Sequence, residues 1–316
     1  MSSAVKLDLL DMIERYRAYG WRESVICRKW GICPKTLHGV GGCRSLGKSP
    51  RRCAINAITP AEKAQVIDYA LKHTELNHRE MAYRMIDEDI AYMSPSSVYR
   101  ILRDNNLLSR KEPKPGPIGW ATHQGLASAD DIWQTDLMIV RYKHQDYFLL
   151  SYIDVYSRFI PHYELLTSMT GDSVKEATRK YLSACERVPL NIQSDNGSCY
   201  ISQEYRSYLS KLDINHRRIH PYCPNENAEI ERYHRTLREL IVPENADDFE
   251  QLMELIKEQI DYYNHTRYHS GIGFVTPYAK YSGKAEKILR EREQKLIKAR
   301  EIRKQKNLAK LNAKAA

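Results

Sequence analysis

The chain has 316 residues, with 49 Lys and Arg against 40 Asp and Glu and a formal net charge of +9. That length suggests two or three domains, and 42% hydrophobic with 28% charged residues is a globular composition, not that of a disordered tail. No stretch approaches the roughly 18 to 20 unbroken apolar residues of a membrane helix, and charges interrupt the apolar run at the start, so it does not read as a signal peptide. Seven scattered Cys argue against a disulfide framework and for a reducing compartment.

The charge is unevenly spread. Residues 1–120 carry 20 basic and 13 acidic side chains, net +7; residues 121–283 carry 17 and 23, net −6; residues 284–316 carry 12 and 4, net +8. Basic flanks suit a polyanion, because each neutralised phosphate releases counterions. A Lys-rich tail can equally serve solubility alone.

From the N terminus, Leu7 to Tyr19 has helical spacing and ends at Gly20, and Arg22 to Trp30 reads as a second short helix. The turn Gly31-Ile32-Cys33 then leads into Pro34-Lys35-Thr36-Leu37-His38, a helix start with Pro in its first turn. Helix, short Gly-containing turn, helix is the helix-turn-helix pattern, assigned to residues 1–50 with Lys35, Thr36 and His38 as candidate DNA contacts. Residues 51–110 repeat the theme as a second helix-turn-helix or winged-helix-like unit: Pro60 to His73, His78 to Met85, and a helix capped by Ser94-Pro95. In that last helix Val98, Ile101 and Leu102 face inward, leaving Ser96, Ser97, Arg100 and Arg103 free to meet phosphates and base edges. Three-helix units also serve as plain protein-binding modules. Pro at every second position in the linker 111–119 forbids helix and favours an extended spacer.

Past the linker the period changes. Ile132 to Tyr142, Tyr147 to Phe159 and Pro161 to Leu166 read as a three-stranded meander. Helix Ser173 to Glu186, strand Leu190 to Gln193, helix Glu204 to Leu212, strand Ile214 to Ile219 and helices Asn227 to Ile241 and Phe249 to Tyr263 follow. This order describes an α/β core, a mixed five-stranded sheet covered by helices, over residues 120–283. The basic tail, residues 284–316, is Lys/Arg/Glu-dense with little apolar face, so a solvated helix or a disordered segment is expected.

Three acids in the core stand out. Asp136 lies within the first strand, where an unpaired carboxylate is costly unless a cation holds it. Asp195 directly follows a strand, ahead of an Asn-Gly turn, where sheet folds place chemistry. Glu231 flanks the buried stripe Ile230, Tyr233, Leu237 and Ile241 of its helix, with His234, Arg235 and Arg238 continuing its face toward solvent. Taken singly, a strand-end Asp is usually a turn former, and a Glu on a basic helix is usually an ion-pair partner.

At these residues the chain resembles bacterial insertion-sequence transposases of the DDE superfamily, whose core is of the retroviral-integrase type. The resemblance rests on WQTDLM, DVYSRF, QSDNGSCY, HPYCPNENAEIERYHRTLREL and YNHTRYHSGIGFVTPYAKY, and covers roughly residues 120–283. Thirty-five residues separate Asp195 from Glu231, the spacing of that family. Glu226 and Ala228 depart from its usual pattern, but neither replaces an acid.

The resemblance implies an RNase H-like fold and a DNA transposase that binds terminal inverted repeats, cleaves a strand and joins it to target double-stranded DNA. It makes Asp136, Asp195 and Glu231 the catalytic metal ligands, with Arg232, Arg235 and Arg238 on the DNA backbone. A homodimer or larger assembly on DNA, with no membrane partner and a cytoplasmic, nucleoid-associated location, is expected. Two Mg²⁺ ions, or Mn²⁺, about 3.5–4 Å apart would activate the attacking oxygen and stabilise the leaving one. Oxygen-only ligands suit those metals rather than zinc. Three carboxylates, two such ions and one phosphate sum to zero charge, whereas the acids alone repel DNA.

Other residues of the core and the N-terminal region admit rival readings. Asp154 reads as a turn former, and Glu229 lies about 200° round the helix from Glu231, so both cannot face one site. His265 and His269 have a metal-like spacing but sit at a helix end, where loop packing or phosphate contact is favoured. Cys27, Cys33, Cys43 and Cys53 do not form close Cys-x-x-Cys pairs. At the level of function, the alternatives are a DNA-binding regulator with a non-catalytic core and a nuclease that does not join strands.

Overall fold

The computed structural model describes residues 55–108 and 128–315, apart from 186 and 222, together with positions 15, 16, 18, 19, 25 and 29. Most of the first helix-turn-helix, with Lys35, Thr36 and His38, the Pro-rich linker and the four N-terminal cysteines lie outside the described residues. Two compact units are present, one of Met1–Ile58 with Glu301–Ala316, the other of Thr59–Arg300. In the first, Asn307 Nδ2 donates to the carbonyls of Ile55 and Ala57 at 2.8 and 3.0 Å.

The second unit opens with three helices, α1 (Pro60–Lys72), α2 (His78–Asp87) and α3 (Pro95–Asp104). Each start is written in the sequence. Thr59 and Glu62 form a reciprocal capping box ahead of α1, Asn77 accepts from the amides of Arg79 and Glu80 at 3.0 Å, and Pro95 opens α3. Val66, Tyr69, Met81, Met85, Ile86, Val98, Ile101 and Leu102 are buried between them. Between residues 55 and 108 every described regular element is a helix.

The sheet is built from β1 (Ile132–Tyr142), β2 (Gln145–Asp154), β3 (His162–Leu166), β4 (Asn191–Ser194) and β5 (Asn215–Arg218), in the order β3-β2-β1-β4-β5. The meander is antiparallel, while β1–β4 and β4–β5 are parallel. Lys143 and His144, both at positive φ (43° and 67°), make the two-residue turn between β1 and β2, the conformation that matches strand twist. Helices α4 (Gly171–Ala184), α5 (Ser198–Ile201) and α6 (Gln203–Lys211) cover one face, over Trp133, Leu150, Tyr152 and Ile192. Helices α7 (Ala228–Leu240) and α8 (Phe249–Asp261) cover the other, over Met138, Val140, Leu149 and Ile153. Both faces of β2 are covered, over Leu149 and Ile153 on one and Leu150 and Tyr152 on the other, so its centre is apolar without alternation.

After α8, a π-helical turn over Tyr262–Thr266 places Asn264 to clasp the backbone of Ile160, accepting from its N–H at 2.9 Å and donating to its carbonyl at 3.1 Å. Helix α9 (Pro277–Tyr281) and the long α10 (Ala285–Ala315) complete the chain. The tail is thus helical, but its first half is not simply solvated. Arg292 is 3% exposed; its Nε and Nη2 donate to the Asp87 carboxylate at 2.8 and 2.6 Å, and its Nη1 and Nη2 reach the carbonyls of Gly273 and Phe274 at 3.1 and 2.8 Å. Tyr268 Oη donates to the same carboxylate at 2.6 Å, and Tyr83 stacks on Phe274. The three-helix unit is thereby tied to the segment after the sheet and to α10. No described helix is long and apolar enough to cross a membrane.

Replacing Arg292 by Met strands the Asp87 carboxylate. The variant is expected to lose about 3 kcal/mol of unfolding free energy, read as a fall in the urea midpoint, with Asp87→Leu in the same chain recovering part of the loss.

Candidate active site

The sheet's register brings the first two acids close. Gln134 of β1 pairs with Gln193 of the parallel neighbour β4; Asp136 follows two residues on in β1 and Asp195 just past the end of β4, near enough for the Asp136 charge to act on it. Neighbouring strands run about 4.8 Å apart. A period of two also places Gln134 and Asp136 on one face, the face that α7 covers.

The two glutamines hold the third acid's helix. Gln134 Nε2 and Gln193 Nε2 both donate to the carbonyl of Glu226, at 2.8 and 2.6 Å. Gln134 Oε1 accepts from the amides of Glu229 and Ile230, at 3.2 and 3.1 Å, which are orphan donors of the first turn of α7. Asn227 Nδ2 adds a 3.5 Å contact to the carbonyl of Thr135. The start of α7, and with it Glu231, is therefore fixed to the two strands that carry Asp136 and Asp195.

Asp136 is half-buried; its Oδ1 accepts from the Leu137 amide at 2.8 Å, and its Oδ2 lies 3.4 Å from His234 Nδ1. Asp195 Oδ1 accepts from the Gly197 amide at 2.9 Å, and a Cβ at Gly197 would stand only 3.0 Å from that oxygen, so the turn favours glycine by close approach rather than by positive φ. Burial raises the Asp195 carboxyl above its ordinary range; the Gly197 N–H works against this, and the Asp136 charge adds to it. Burial, then Asp136, raises Glu231, against the lowering pull of Arg235 and His234. Asp136 is thus the charge that both other acids feel. Among the described residues no three His, Cys, Asp or Glu side chains stand close enough to cage a metal ion as they are.

The other sequence candidates fall in distinct places. Arg235 and Arg238 are exposed on α7, with no carboxylate within ion-pair distance among the described residues. Arg232 instead pairs with Glu229 at 2.9 Å, and that acid also holds Arg158 at 2.7 Å. On α3, Ser96, Arg100 and Arg103 are exposed and Ser97 is half-buried; Arg100 folds back on the Ser96 carbonyl, and Arg103 pairs with Asp104. Asp154 is fully buried and serves the turn after β2, accepting from the amides of Asp130 and Ser157 at 2.9 and 2.8 Å. His265 is exposed and stacks on Tyr278, while His269 is buried.

One placement reverses the sequence reading. His234 does not continue toward solvent; it is 2% exposed and turned onto Asp136. Gln134 and Gln193 were not singled out either, although the signal was present as a doubled pattern, Gln134-Thr135-Asp136 and Gln193-Ser194-Asp195.

The core is thus a mixed five-stranded sheet covered by helices, with Asp136 close enough for its charge to act on both Asp195 and Glu231. Residues 127–224 match one integrase core domain model and residues 212–277 a second of the same description. Between them the two models match residues 127–277, the mixed five-stranded sheet and the helices α4–α8, and the chain is similar to proteins of bacterial insertion elements. It is 30% identical over 159 residues to the transposase for insertion sequence element IS904 of Lactococcus lactis, covering 48% of this chain and 62% of that one. It is 25% identical over 245 residues to an uncharacterized 39.2 kDa protein of insertion element IS476 from Xanthomonas euvesicatoria, covering 74% and 70%. A Gag-Pro-Pol polyprotein of Human T-cell leukemia virus 3 is 33% identical over 112 residues, 35% of this chain but only 8% of the polyprotein. The solved HTLV-2 integrase catalytic core domain in complex with magnesium is 21% identical, with a TM-score of 0.42, over 50% of this chain and 99% of that one.

Replacing Gln134 by Ala unpairs the amides of Glu229 and Ile230. The expected cost is about 1–3 kcal/mol, and hydrogen exchange at those two amides should quicken while the α8 amides keep their protection.

Proposed function

We propose that this chain is a DNA transposase whose core cleaves a strand at the element's terminal inverted repeats and joins the freed 3′-OH to target DNA. The observation that carries the reading is the register that sets Asp136 beside Asp195, with the helix of Glu231 bound to both strands through Gln134 and Gln193. Presence of all three acids weighs against a purely regulatory core.

The donor set fits divalent cations. It is made of carboxylate oxygens, the chemistry of Mg²⁺ or Mn²⁺ rather than zinc. Desolvation and the Asp136 charge make Asp195 and Glu231 harder to ionise, a cost that a bound cation offsets. Asp136, Asp195 and Glu231 would hold two such ions, which supply an activated oxygen nucleophile and neutralise charge on the leaving oxygen. The chain's own groups do the rest. Gln134 and Gln193 keep Glu231 in place, His234 orients Asp136, and Arg235 and Arg238 hold the DNA backbone beside the acids.

The reaction has two steps. Water attacks a phosphodiester at the element end, breaking one P–O bond and leaving a 3′-OH. That hydroxyl then attacks a phosphodiester of the target, forming the new bond as the target's own 3′ oxygen leaves. No covalent link to protein is formed. Two ends must be joined at one place, so a dimer or larger assembly on DNA follows from the task. The helices preceding the core, with Ser96, Arg100 and Arg103 exposed on α3, would recognise the terminal repeats.

Glu231→Gln keeps the size of the side chain and removes its charge. Strand transfer by the variant, on duplexes taken from the DNA flanking the gene and with Mg²⁺ present, should fall by roughly three orders of magnitude, the equivalent of several kcal/mol of lost charge stabilisation. Chelation of the metal should silence the wild type. Joining at the wild-type rate by Glu231→Gln or Asp195→Asn would refute the assignment.

A further inference from the structure

The loop after α8, in the motif Tyr263-Asn264-His265-Thr266-Arg267-Tyr268-His269-Ser270, has no role in the chemistry above. It lines a small cleft of about 130 Å³, together with Arg232 and Thr236 of α7 and Asn77 at the start of α2. That is room for several waters or one tetrahedral anion.

Its charge is unbalanced. Glu229 is shared by Arg158 and Arg232, and Glu80, which also borders the cleft, is matched by Arg84 at 3.1 Å. Arg267 is half-buried with its guanidinium over the Tyr263 ring at 5.7 Å, and among the described residues it has no carboxylate partner. Three guanidiniums, Arg158, Arg232 and Arg267, thus act on Tyr263 and His269 while one carboxylate, Glu229, pairs with two of them, leaving a local excess of two positive charges. His269 takes no part in that excess. Its burial, then Arg267, Arg158 and Arg232, lower its pKa to about 3, so the ring is neutral. Its Nδ1 accepts from the Gly271 amide at 3.2 Å, which leaves the proton on Nε2, a neutral donor.

We infer that this cleft is an anion site for one backbone phosphate of the bound DNA, held by Arg267 with Arg232 and the mouth residue Ser270. The inference rests on the DNA-joining reading given above. An open cleft on α7, the helix whose exposed Arg235 and Arg238 carry further unpaired charge, suits a phosphate within a polymer backbone. It would fix the strand at the seam between the three-helix unit and the core, one residue along the chain from Glu231. A half-buried, pre-ordered guanidinium gives up less freedom on binding than a solvated lysine does.

Binding of the full chain to a short random-sequence DNA duplex, measured across a salt series without divalent metal, tests this. Arg267→Gln keeps the stem packed on Tyr263 and should flatten the plot of log affinity against log salt by about 0.9, the loss of one phosphate contact. Arg267→Lys should restore most of the slope, and Arg141→Ala, at an exposed ion pair elsewhere, should leave it unchanged. Should Arg267→Gln fold poorly, Ser270→Glu at the exposed mouth is the second probe; it sets a carboxylate against the phosphate and should flatten the slope likewise. Wild-type slopes for folded Arg267→Gln or Ser270→Glu overturn the inference, even when strand transfer works. An Arg267-dependent slope in a chain that never cleaves element ends leaves the phosphate site standing and sinks the transposase reading instead.

Discussion

The candidate active site depends on one side chain that takes no part in its chemistry. Gln134 uses its oxygen to cap two amides of α7 and its nitrogen to hold the carbonyl of Glu226, while Gln193 grips the same carbonyl from the neighbouring strand. Both glutamines are buried, at 0% and 7% exposure, so these bonds are not diluted by water. A helix start normally leaves four N–H groups for a nearby Ser, Asp or Asn to cap. Here no side-chain cap comes from Asn227, and a strand supplies one from more than ninety residues earlier. The hydrogen bonds that start the helix are therefore also the ones that tether it to the strand of Asp136.

Charge is handled the same way, by assigning each acid one task. Asp154 is consumed by a turn, Glu229 by two arginines and Asp87 by Arg292, each with its hydrogen bonds satisfied inside the fold. Asp195 and Glu231 are instead acids on which the Asp136 charge acts, and burial and that charge both raise them.

The strands were largely legible because alternation and β-branched runs report burial directly. β1 runs over Ile132–Tyr142 as its composition suggests, and β4 and β5 are displaced by only a residue at their ends. β2 ends at Asp154, earlier than its apolar run, because Asp154 turns the chain through Ser157 and a left-handed Arg158 at φ 67°. The acids were legible as a motif. Their support was not, since a glutamine on a buried face announces only that it needs partners, and those partners lie in segments far along the chain. His234 misled for a related reason: helical spacing places it beside Arg235 and Arg238, while contact with Asp136 turns it inward. Helix α10 misled most. Its buried side is made of Ala285, Arg292 and Ala299, not of a leucine stripe, so apolar periodicity could not reveal it.

That last helix also sets a clock. Arg292 lies 205 residues after the Asp87 it binds, so the three-helix unit leaves the ribosome long before its clamp exists. At about 5–20 residues per second, roughly 10 to 40 s of synthesis separate the two. During that interval α1–α3 can form their own capping and core contacts, and once the loop after α8 follows, Tyr268, Phe274 and the Thr266 carbonyl are their tie to it. The clamp closes only when Arg292 arrives and joins Asp87 to the carbonyls of Gly273 and Phe274. Nascent chains stopped short of that residue would carry every acid of the candidate site and still lack the clamp.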